Sequence, residues 1–555
     1  METKKRYTTC AILSRLFQVM NHLLPFIALA VFFAVLGFVT TVAIPTLVIV
    51  LGFHALNGQQ PAWWSLILLI GLALARGAFR YGEHYFGHFV AFHSLADLRK
   101  LIFAKLRRLA PAKLDRQDSG KLLKMIGEDI EALEIFFAHT IAPICTGFLT
   151  ALLMGMYFAH FSFWFALVAL VTYGILAIIL PRMFALSLQD ILQKQNQERS
   201  NYVSFFLESL KAMGDLSQFG KSHERFAELT GKSQAVNQLE RQVAQKQYLQ
   251  QTVTFLVVGL SLTSVALLAF YQVENHQLSW QEAVLVLVAF SSSFAPFLEL
   301  GRLPLGFKRA MNAGRTVFAL LDEVEPVQTG QEIAVTLDDV LIENMDFAYD
   351  NRQQKLFNNF SAHFKKGKII GLIGKSGSGK STLMKLLMRW YDSNAGSVFL
   401  TGVDSREVNR QRLQASFAYV PQIAQLFHQS LRENLLLGRN DISDESIWKL
   451  AERCRLKECL ERLPDGLDTI IDGERDFSAG ERQRLELMRA LLKKADCYIF
   501  DEPTSNLDSL NEAAFLSIVK EECQGMIFMI SHRPSTVAFV DEIYELDASQ
   551  LKRLQ

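Results

Sequence analysis

Six long apolar stretches dominate the first three hundred residues of the chain. They cover residues 23–51, 63–86, 135–158, 163–180, 252–271 and 283–303. A helix needs about 17 to 20 apolar residues to cross a bilayer, and each stretch meets that length. Further along, short apolar runs alternate with charged segments, as in a soluble α/β domain. The pattern predicts an α-helical membrane domain at residues 1–322, followed by an α/β domain at residues 323–555.

The connections between these stretches differ in charge. Residues 53–63, 159–162 and 272–280 contain no Lys or Arg, whereas the connection between the second and third stretches is rich in both. Basic residues collect on the cytosolic side of membrane proteins. Both termini and the second domain are therefore predicted to be cytosolic, in a multi-pass protein of the cytoplasmic membrane. The first apolar stretch is too long for a signal peptide, so we expect it to remain as a membrane helix.

Two segments on the predicted cytosolic side, residues 94–134 and 182–251, are polar but keep a helical period. Glycine and proline fall within residues 111–120 and 213–222, where each segment is expected to reverse. The pattern favours membrane helices that extend into the cytosol and turn through short transverse helices against the second domain. The alternative is an amphipathic surface loop.

Ionisable residues inside membrane spans are costly and so point to function. Those of the second span lie four residues apart, which places them on one helical face, and the sixth span adds a carboxylate. The candidates are Arg76, Arg80, His84, His88 and Glu299. One interpretation is a substrate cavity, in which the arginines favour an anionic or zwitterionic solute. The other is that Arg80 to His88 lie at the inner interface and pair with Glu83 and Glu299.

Charge and cysteine spacing give no support for two other functions, nucleic-acid binding and metal binding by cysteines. The formal net charge is +1, which gives no indication of a nucleic-acid partner. The chain has 6 cysteines, and their spacing does not match that of a metal site. They are interpreted as structural, reduced thiols.

A glycine-rich sequence in the second domain joins a buried strand to an amphipathic helix. Its residues are Gly374, Lys375, Ser376, Gly377, Ser378, Gly379, Lys380 and Ser381, and Thr382 continues the helix. This is a complete phosphate-binding loop, in which backbone N–H groups at a helix N-terminus coordinate phosphate oxygens. Lys380 is expected to contact the β- and γ-phosphates of ATP, and the Ser381 hydroxyl to ligate Mg²⁺.

An apolar strand that begins at Cys497 ends in two carboxylates, Asp501 and Glu502. Ligand crevices open at the carboxyl ends of strands in such sheets. Asp501 is predicted to hold Mg²⁺, and Glu502 to accept a proton from the attacking water. The chain is therefore predicted to hydrolyse ATP as well as to bind it.

These motifs, with the segment Phe477-Ser-Ala-Gly-Glu-Arg-Gln-Arg484, resemble those of ABC transporters in order and spacing. Six spans followed by one cassette resembles an exporter-type half-transporter. The resemblance implies roles for six further residues. Tyr349 would stack on adenine. Gln422 would contact Mg²⁺ and the attacking water, and His532 would contact the γ-phosphate. Asp508 would lie in the loop that crosses the dimer interface, and Ser478 and Gly480 would close over ATP held by a second cassette. It also implies a second half-transporter chain as partner.

Within this class, the sequence resembles CydC-type and siderophore-transporter subunits. The similarity lies in Arg80-Tyr-Gly-Glu-His-Tyr-Phe-Gly-His88, Leu109-Ala-Pro-Ala-Lys-Leu, Ser119-Gly-Lys-Leu-Leu and Asp129-Ile-Glu-Ala-Leu. In CydC-type proteins a histidine placed like His88 is tied to haem. An interfacial polar contact is the alternative for His88.

The signature segment departs from the family's Leu-Ser-Gly-Gly-Gln at Ala479 and Glu481. Glu481 would place negative charge near a partner's ATP if its side chain pointed inward. Identical partners would carry this change at both sites, so a heterodimer is favoured over a homodimer.

Together these features predict an ATPase that drives transport of a small anionic or zwitterionic solute, with export favoured. The alternatives are a siderophore or metal-chelate importer with the exporter fold, and a nucleotide-gated channel or regulator.

Overall fold

The computed structural model describes residues 7–60, 62–116, 119–301, 303–325, 327, 330–333, 335–349, 355–439, 441–472, 475–505, 507–547 and 550–554. The chain divides into two compact units. The membrane unit comprises Met1–Leu106 and Gln117–Glu323, and the cassette unit comprises Arg107–Arg116 and Val324–Gln555. The short segment Arg107–Arg116 therefore packs with the cassette, although it lies within the membrane half of the sequence.

The membrane unit is helical, and several of its helices are much longer than a bilayer crossing requires. The helices up to the third span are α1 (Thr9–Val19), α2 (Leu24–Leu56), α3 (Trp63–Leu109), α5 (Ser119–Lys124), α6 (Ile130–Phe136) and α7 (Ala142–Phe161), and α4 (Ala112–Arg116) belongs to the cassette unit. The remaining ones are α8 (Phe163–Gly174), α9 (Leu180–Lys211), α10 (Met213–Gln218), α11 (Ser222–Glu274), α12 (Trp280–Ser292), α13 (Ala295–Leu300) and α14 (Leu303–Leu321).

Single π-helical turns connect some of these elements. They lie at Met125–Asp129, Phe137–Ile141 and Ile175–Ile179. Among the described residues, six helical segments are long and apolar enough to span a membrane, as the sequence predicts: Asn21–Leu56, Trp63–Leu109, Ala142–Phe161, Phe163–Lys211, Ser222–Glu274 and Trp280–Leu300. Short helices α4 and α10 occupy the two predicted reversals.

The sixth span is shifted from the prediction, since it covers Trp280–Leu300 instead of residues 283–303. It is also interrupted after Ser292, because Pro296 at the start of α13 has no N–H to continue the helical hydrogen bonds. The break is packed internally: Ser293 is buried, and its hydroxyl lies 2.6 Å from the Tyr173 hydroxyl.

Helix α1 precedes the first span and was not predicted. Ile12 and Leu16, one helical turn apart, are fully buried. Arg15 donates to both carboxylate oxygens of Asp322, at 2.6 and 2.7 Å, and Tyr7 donates to one of them at 2.8 Å. The start of the chain is thereby fixed to the residue that follows α14.

The cassette unit contains two sheets. The antiparallel one has the order β2-β1-β4-β5 and comprises β1 (Asp339–Phe347), β2 (Phe357–Lys365), β4 (Ala395–Leu400) and β5 (Val403–Asp404). The other has the order β10-β9-β3-β8-β7-β6 and comprises β3 (Ile369–Ile373), β6 (Phe417–Val420), β7 (Cys497–Asp501), β8 (Met526–Ile530), β9 (Glu542–Asp547) and β10 (Gln550–Arg553). All of its pairs are parallel except that of β10 with β9.

Helices surround the larger sheet: α15 (Lys380–Leu387), α16 (Arg410–Ala415), α17 (Leu431–Leu436), α18 (Asp444–Arg453), α19 (Lys457–Glu461), α20 (Ala479–Leu492), α21 (Ser509–Glu522) and α22 (Pro534–Phe539). Every residue of β7 and β8 is buried, which is why these strands read as continuous apolar runs. Because β3 and β7 both pair with β8 in parallel, the residues that follow β3, β7 and β8 meet at one edge of the sheet.

Candidate functional site: a nucleotide site in the cassette

The phosphate-binding loop leaves β3 and enters α15. Gly374, Gly377 and Gly379 have positive φ angles of 141°, 83° and 104°. A Cβ atom at Gly374 would lie 2.4 Å from the carbonyl oxygen of Leu546, so a side chain does not fit there. The backbone geometry thus explains the glycines at both ends of the loop.

Lys380, the first residue of α15, turns its side chain back into the loop. Its Nζ donates to the carbonyl oxygens of Gly374 at 2.8 Å and Lys375 at 3.0 Å, and the residue is only 6% exposed. Burial lowers the pKa of Lys380, and the nearby carboxylates of Glu502 and Asp501 partly oppose that shift. The loop therefore surrounds a buried, positively charged group.

Asp501 ends β7 and lies beside Ser381. The Ser381 hydroxyl donates to Oδ1 of Asp501 at 3.1 Å, and the Tyr419 hydroxyl donates to Oδ2 at 3.1 Å. Hydroxyl and carboxylate oxygens are the ligands that Mg²⁺ prefers, and Mg²⁺ at nucleotide sites uses one or two carboxylates together with phosphate oxygens. Within the described ranges, no group of three or more His, Cys, Asp or Glu residues could hold a metal ion. The Ser381–Asp501 pair fits Mg²⁺ that arrives with ATP.

Glu502 joins two residues that are distant in the sequence. Its Oε2 accepts a hydrogen bond from Nε2 of Gln422 at 2.8 Å, and its Oε1 lies 3.6 Å from Nε2 of His532. Glu502 has a φ of 50°, an uncommon conformation for a residue other than glycine, and its N–H donates to Ile530 at 2.9 Å. The backbone turn after β7 thus brings the three predicted catalytic residues together.

An open cavity of about 700 Å³ lies beside the phosphate-binding loop. Its lining includes Gly374, Lys375, Ser376, Ser531 and His532. Glu545, from β9, completes another part of the wall. The cavity joins the loop to the histidine that was predicted to contact the γ-phosphate.

Tyr349 lies two residues after β1, and its hydroxyl is 2.9 Å from the Thr382 hydroxyl. Its ring packs edge-on against Phe347 and Tyr391, with centroids 4.9 and 5.5 Å away. The structure therefore links the predicted adenine-stacking residue to the first turn of α15.

The signature segment begins α20. Ser478 is the N-cap, and its hydroxyl accepts from the N–H of Glu481 at 3.3 Å. In return the Glu481 carboxylate accepts from the Ser478 N–H at 2.8 Å and hydroxyl at 2.7 Å. This is a reciprocal capping box. Burial alone would raise the pKa of Glu481, but the hydrogen bonds from Ser478 and Cys459 outweigh it and lower that pKa.

The predicted interface loop ends at Asp508, which is exposed and caps α21 by accepting from Asn511 at 2.8 Å. Asn506 lies outside the described residues. Ser478 is also exposed, and a Cβ at Gly480 would lie 3.3 Å from the Leu507 side chain. The signature segment and the interface loop are thus neighbours.

Three residues that contribute to this site were not predicted from the sequence: Tyr419, Glu512 and Arg533. Arg533 follows His532 and donates to the carbonyl of Leu507 at 2.8 Å, to that of Ser505 at 3.2 Å and to the buried carboxylate of Glu512 at 2.9 Å. Thr536 and Ser535 also donate to Glu512, at 2.7 and 2.8 Å. This network ties the histidine segment to the interface loop.

The predicted cavity residues of the membrane unit are exposed on its helices. Arg76, Arg80, His84 and His88 are all exposed on α3, and Glu299 is exposed on α13. Arg80 pairs with Glu83 at 2.9 Å, and the rings of His84 and His88 stack with centroids 6.1 Å apart. The four α3 residues share one face, as their spacing predicted.

Comparison with known proteins covers both units. The family model for the ABC transporter transmembrane region matches residues 5–297, and the ABC transporter model matches residues 357–505. A probable ABC transporter ATP-binding/permease protein of Haemophilus influenzae is 34% identical over 549 residues, covering 96% of this chain and 99% of its own.

More distant relatives differ in their named functions. An ATP-dependent lipid A-core flippase of Chromobacterium violaceum is 28% identical, covering 89% of this chain and 85% of its own. The glutathione/L-cysteine transport system protein CydC of Haemophilus influenzae is 26% identical, covering 87% and 84%.

A solved bacterial Atm1-family ABC exporter with ATP bound has the same fold, with a TM-score of 0.80, 23% identity and 95% coverage of this chain and 94% of its own. The two family models together account for six membrane helices and an ATPase domain in one polypeptide. The chain belongs to the ABC transporter family, as a multi-pass half-transporter that couples ATP hydrolysis to exporter-type transport.

Proposed function

We propose that this chain pairs with a second half-transporter in the bacterial inner membrane and exports an anionic or zwitterionic solute. The observation that carries the ATP-driven part of the proposal is the arrangement of Glu502 between Gln422 and His532, beside the phosphate-binding loop. A chain that only bound nucleotide would not need a carboxylate held in this way. The cassette and both termini are proposed to be cytosolic, where ATP is available.

In the proposed mechanism, Lys380 and the backbone N–H groups of the loop bind the β- and γ-phosphates of ATP. Tyr349 contacts the adenine ring. Ser381 and Asp501, with Gln422, would hold Mg²⁺, which neutralises charge on the phosphate oxygens when bound. Glu502 accepts a proton from the attacking water, and Gln422 and His532 orient the water and the γ-phosphate.

Two chains are needed because Ser478, Gly480 and Asp508 serve a neighbouring nucleotide in this proposal. Their exposed positions around the start of α20 and α21 support that role. The geometry of Glu481 removes one reason for expecting unlike partners, since its carboxylate accepts from Ser478. Purification of the native complex, followed by mass spectrometry of its subunits, distinguishes a homodimer from a heterodimer.

Segment Arg107–Arg116 is the proposed link between the cassette and the membrane helices. The Tyr391 hydroxyl donates to the carbonyl of Ala112 at 3.2 Å, and Arg410 donates to the carbonyl of Arg108 at 3.1 Å and to that of Ala110. Ala112 is 3% exposed and belongs to the cassette core. Because the segment begins in the last turn of α3, movement of the cassette would act directly on the second span.

The substrate proposal rests on the exposed polar face of α3. At about 1.5 Å per residue, Arg76 lies about 20 Å along the helix from Trp63, the first residue of α3. The hydrocarbon core of a bilayer is about 30 Å thick, so a helix that enters it at Trp63 places Arg76 inside it. A charged side chain at that depth faces protein or a water-filled cavity. We infer that it lines the transport path and attracts anionic groups.

The test is ATP-dependent transport by the full chain in membrane vesicles. Inside-out vesicles that accumulate solute only with ATP would support export, whereas uptake by right-side-out vesicles with ATP inside would support import. Transport turnover that survives Glu502→Gln would instead indicate a nucleotide-gated channel and overturn the proposal.

A further inference from the structure

Tyr419 contacts the predicted metal-binding carboxylate from a neighbouring strand. It lies in β6, and its hydroxyl donates to Oδ2 of Asp501 at 3.1 Å. The other oxygen, Oδ1, accepts from Ser381 at 3.1 Å. Asp501 is 7% exposed. Two hydroxyls therefore hold the carboxylate: that of Ser381, in α15, and that of Tyr419, in β6.

The position of Tyr419 is set by strand pairing and by a ring contact. β6 pairs in parallel with β7, and Tyr419 lies opposite Ile499, two residues before Asp501. Its ring packs edge-on against Trp390, with the ring centroids 5.5 Å apart. The Trp390 N–H donates to the carbonyl of Lys385 at 2.8 Å, which ties this contact to α15. The phenol thus approaches Asp501 from the strand that neighbours β7.

We propose that Tyr419 is a positioning residue of the ATPase, whose hydroxyl orients Asp501 for the cation that accompanies ATP. The terminal torsion of an aspartate side chain is soft, so the plane of its carboxylate is set by its hydrogen bonds. When the Ser381 hydroxyl turns to a cation, the bond from Tyr419 to Oδ2 keeps Oδ1 directed at the same place. The inference rests on the proposed role of Ser381 and Asp501 in holding Mg²⁺.

Hydrogen-bond partners of metal ligands commonly contribute about 10- to 100-fold to metal affinity or activity. Tyr419→Phe removes the hydroxyl and keeps the ring against Trp390, so it separates orientation of Asp501 from packing. Tyr498→Phe is the matched control, because Tyr498 is a buried tyrosine of the adjacent strand β7 and belongs to a hydrophobic core of the cassette.

The experiment uses the full chain in lipid nanodiscs, with Glu502→Gln in every variant to stop hydrolysis. Mn²⁺ serves as a probe of the cation site, and its affinity in the presence of ATP is measured by electron paramagnetic resonance. A fluorescent ATP analogue reports nucleotide affinity with Mg²⁺ and with EDTA. Tyr419→Phe is expected to weaken Mn²⁺ binding about tenfold and to leave nucleotide affinity in EDTA unchanged. Tyr498→Phe is expected to match the parent in both measurements.

Two results would overturn the role of Tyr419 and leave the proposed cation site standing. One is an unchanged Mn²⁺ affinity in Tyr419→Phe, and the other is an equal loss of nucleotide affinity with Mg²⁺ and with EDTA. The second result would mean that the residue supports the fold of the loop and not the cation. A parent protein that binds nucleotide equally with Mg²⁺ and with EDTA would overturn the proposed cation site as well.

Discussion

The ATP site and the polar face of α3 both bring together ionisable residues, but they differ in how those residues are held. In the cassette, Glu502 contacts Gln422 and His532, which come from separate strand ends. On α3, Arg80 pairs with Glu83, three residues away on the same helix. A site assembled from several elements has its geometry fixed within one chain. A face on one helix acquires its function from whatever covers it, which here is proposed to be substrate, water or the partner chain.

The largest expected effect concerns the assembled site. Glu502→Gln should lower ATPase activity by about 10²- to 10⁴-fold, because it removes the proposed general base, while ATP still binds. Phosphate release and nucleotide binding are the two measurements. Glu545→Gln, in the wall of the same cavity, is the matched control and should retain activity. Equal activity of the Glu502→Gln variant and the wild type would remove the basis for calling this site catalytic.

The second prediction concerns the α3 face. Arg76→Ala should reduce the stimulation of ATPase by transported solute by about fivefold or more, which is the usual range for coupling between two sites. Basal ATPase should be retained, since Arg76 lies in the membrane unit. Arg99→Ala, an exposed arginine farther along α3, is the control. Equal loss of basal and stimulated activity would rule out the cavity assignment.

A third, smaller effect tests the network that holds the interface loop. Burial would raise the pKa of Glu512, but hydrogen bonds from Thr536, Ser535 and Arg533 outweigh it and lower that pKa. A lowered pKa in the folded state stabilises the protein above the unfolded value, about pH 4.3, and this contribution disappears as the pH falls through the folded value.

Glu512→Gln should therefore destabilise the cassette by about 1–3 kcal/mol at neutral pH. It should also make the free energy of unfolding fall less steeply as the pH is lowered. Thermal unfolding measured from pH 7 downward checks both effects. Glu521→Gln, an exposed carboxylate of the same helix, is the control. A Glu512→Gln variant with the acid dependence of the wild type would show that the hydrogen bonds contribute nothing.

The smallest expected effect is that of Glu481→Gln, which restores the residue usual in the family. Because the carboxylate is engaged with Ser478, ATPase activity should change by no more than about twofold, as for an exchange within a capping box. A large increase in activity would mean that Glu481 does repel a nucleotide. That result would restore the reason for expecting unlike partners.

Much of the ATP site could be predicted from the sequence because its motifs are contiguous. The loop from Gly374 to Ser381 combines a buried strand, glycines with positive φ and a helix N-terminus within a few residues. The six membrane helices were predictable for a similar reason, since length and hydropathy are local properties.

Tyr419 and Arg533 could not be found in this way. Tyr419 is 82 residues from Asp501 in the sequence, and their contact depends on the pairing of β6 with β7. Arg533 lies 26 residues from Leu507, and its role depends on the fold of the loop before α21. Helix α1 was missed because its apolar residues form one face only, which is weaker than the signal of a membrane span.

Native mass spectrometry of the complex gives the most direct test of the two-chain ATPase. The Glu502→Gln form would be purified from its membrane and supplied with ATP and Mg²⁺. The account predicts particles that contain two half-transporter chains, identical or unlike, with two nucleotides enclosed between them. Single chains that each hold one nucleotide, together with full ATPase activity of the wild-type protein as a single chain, would contradict it.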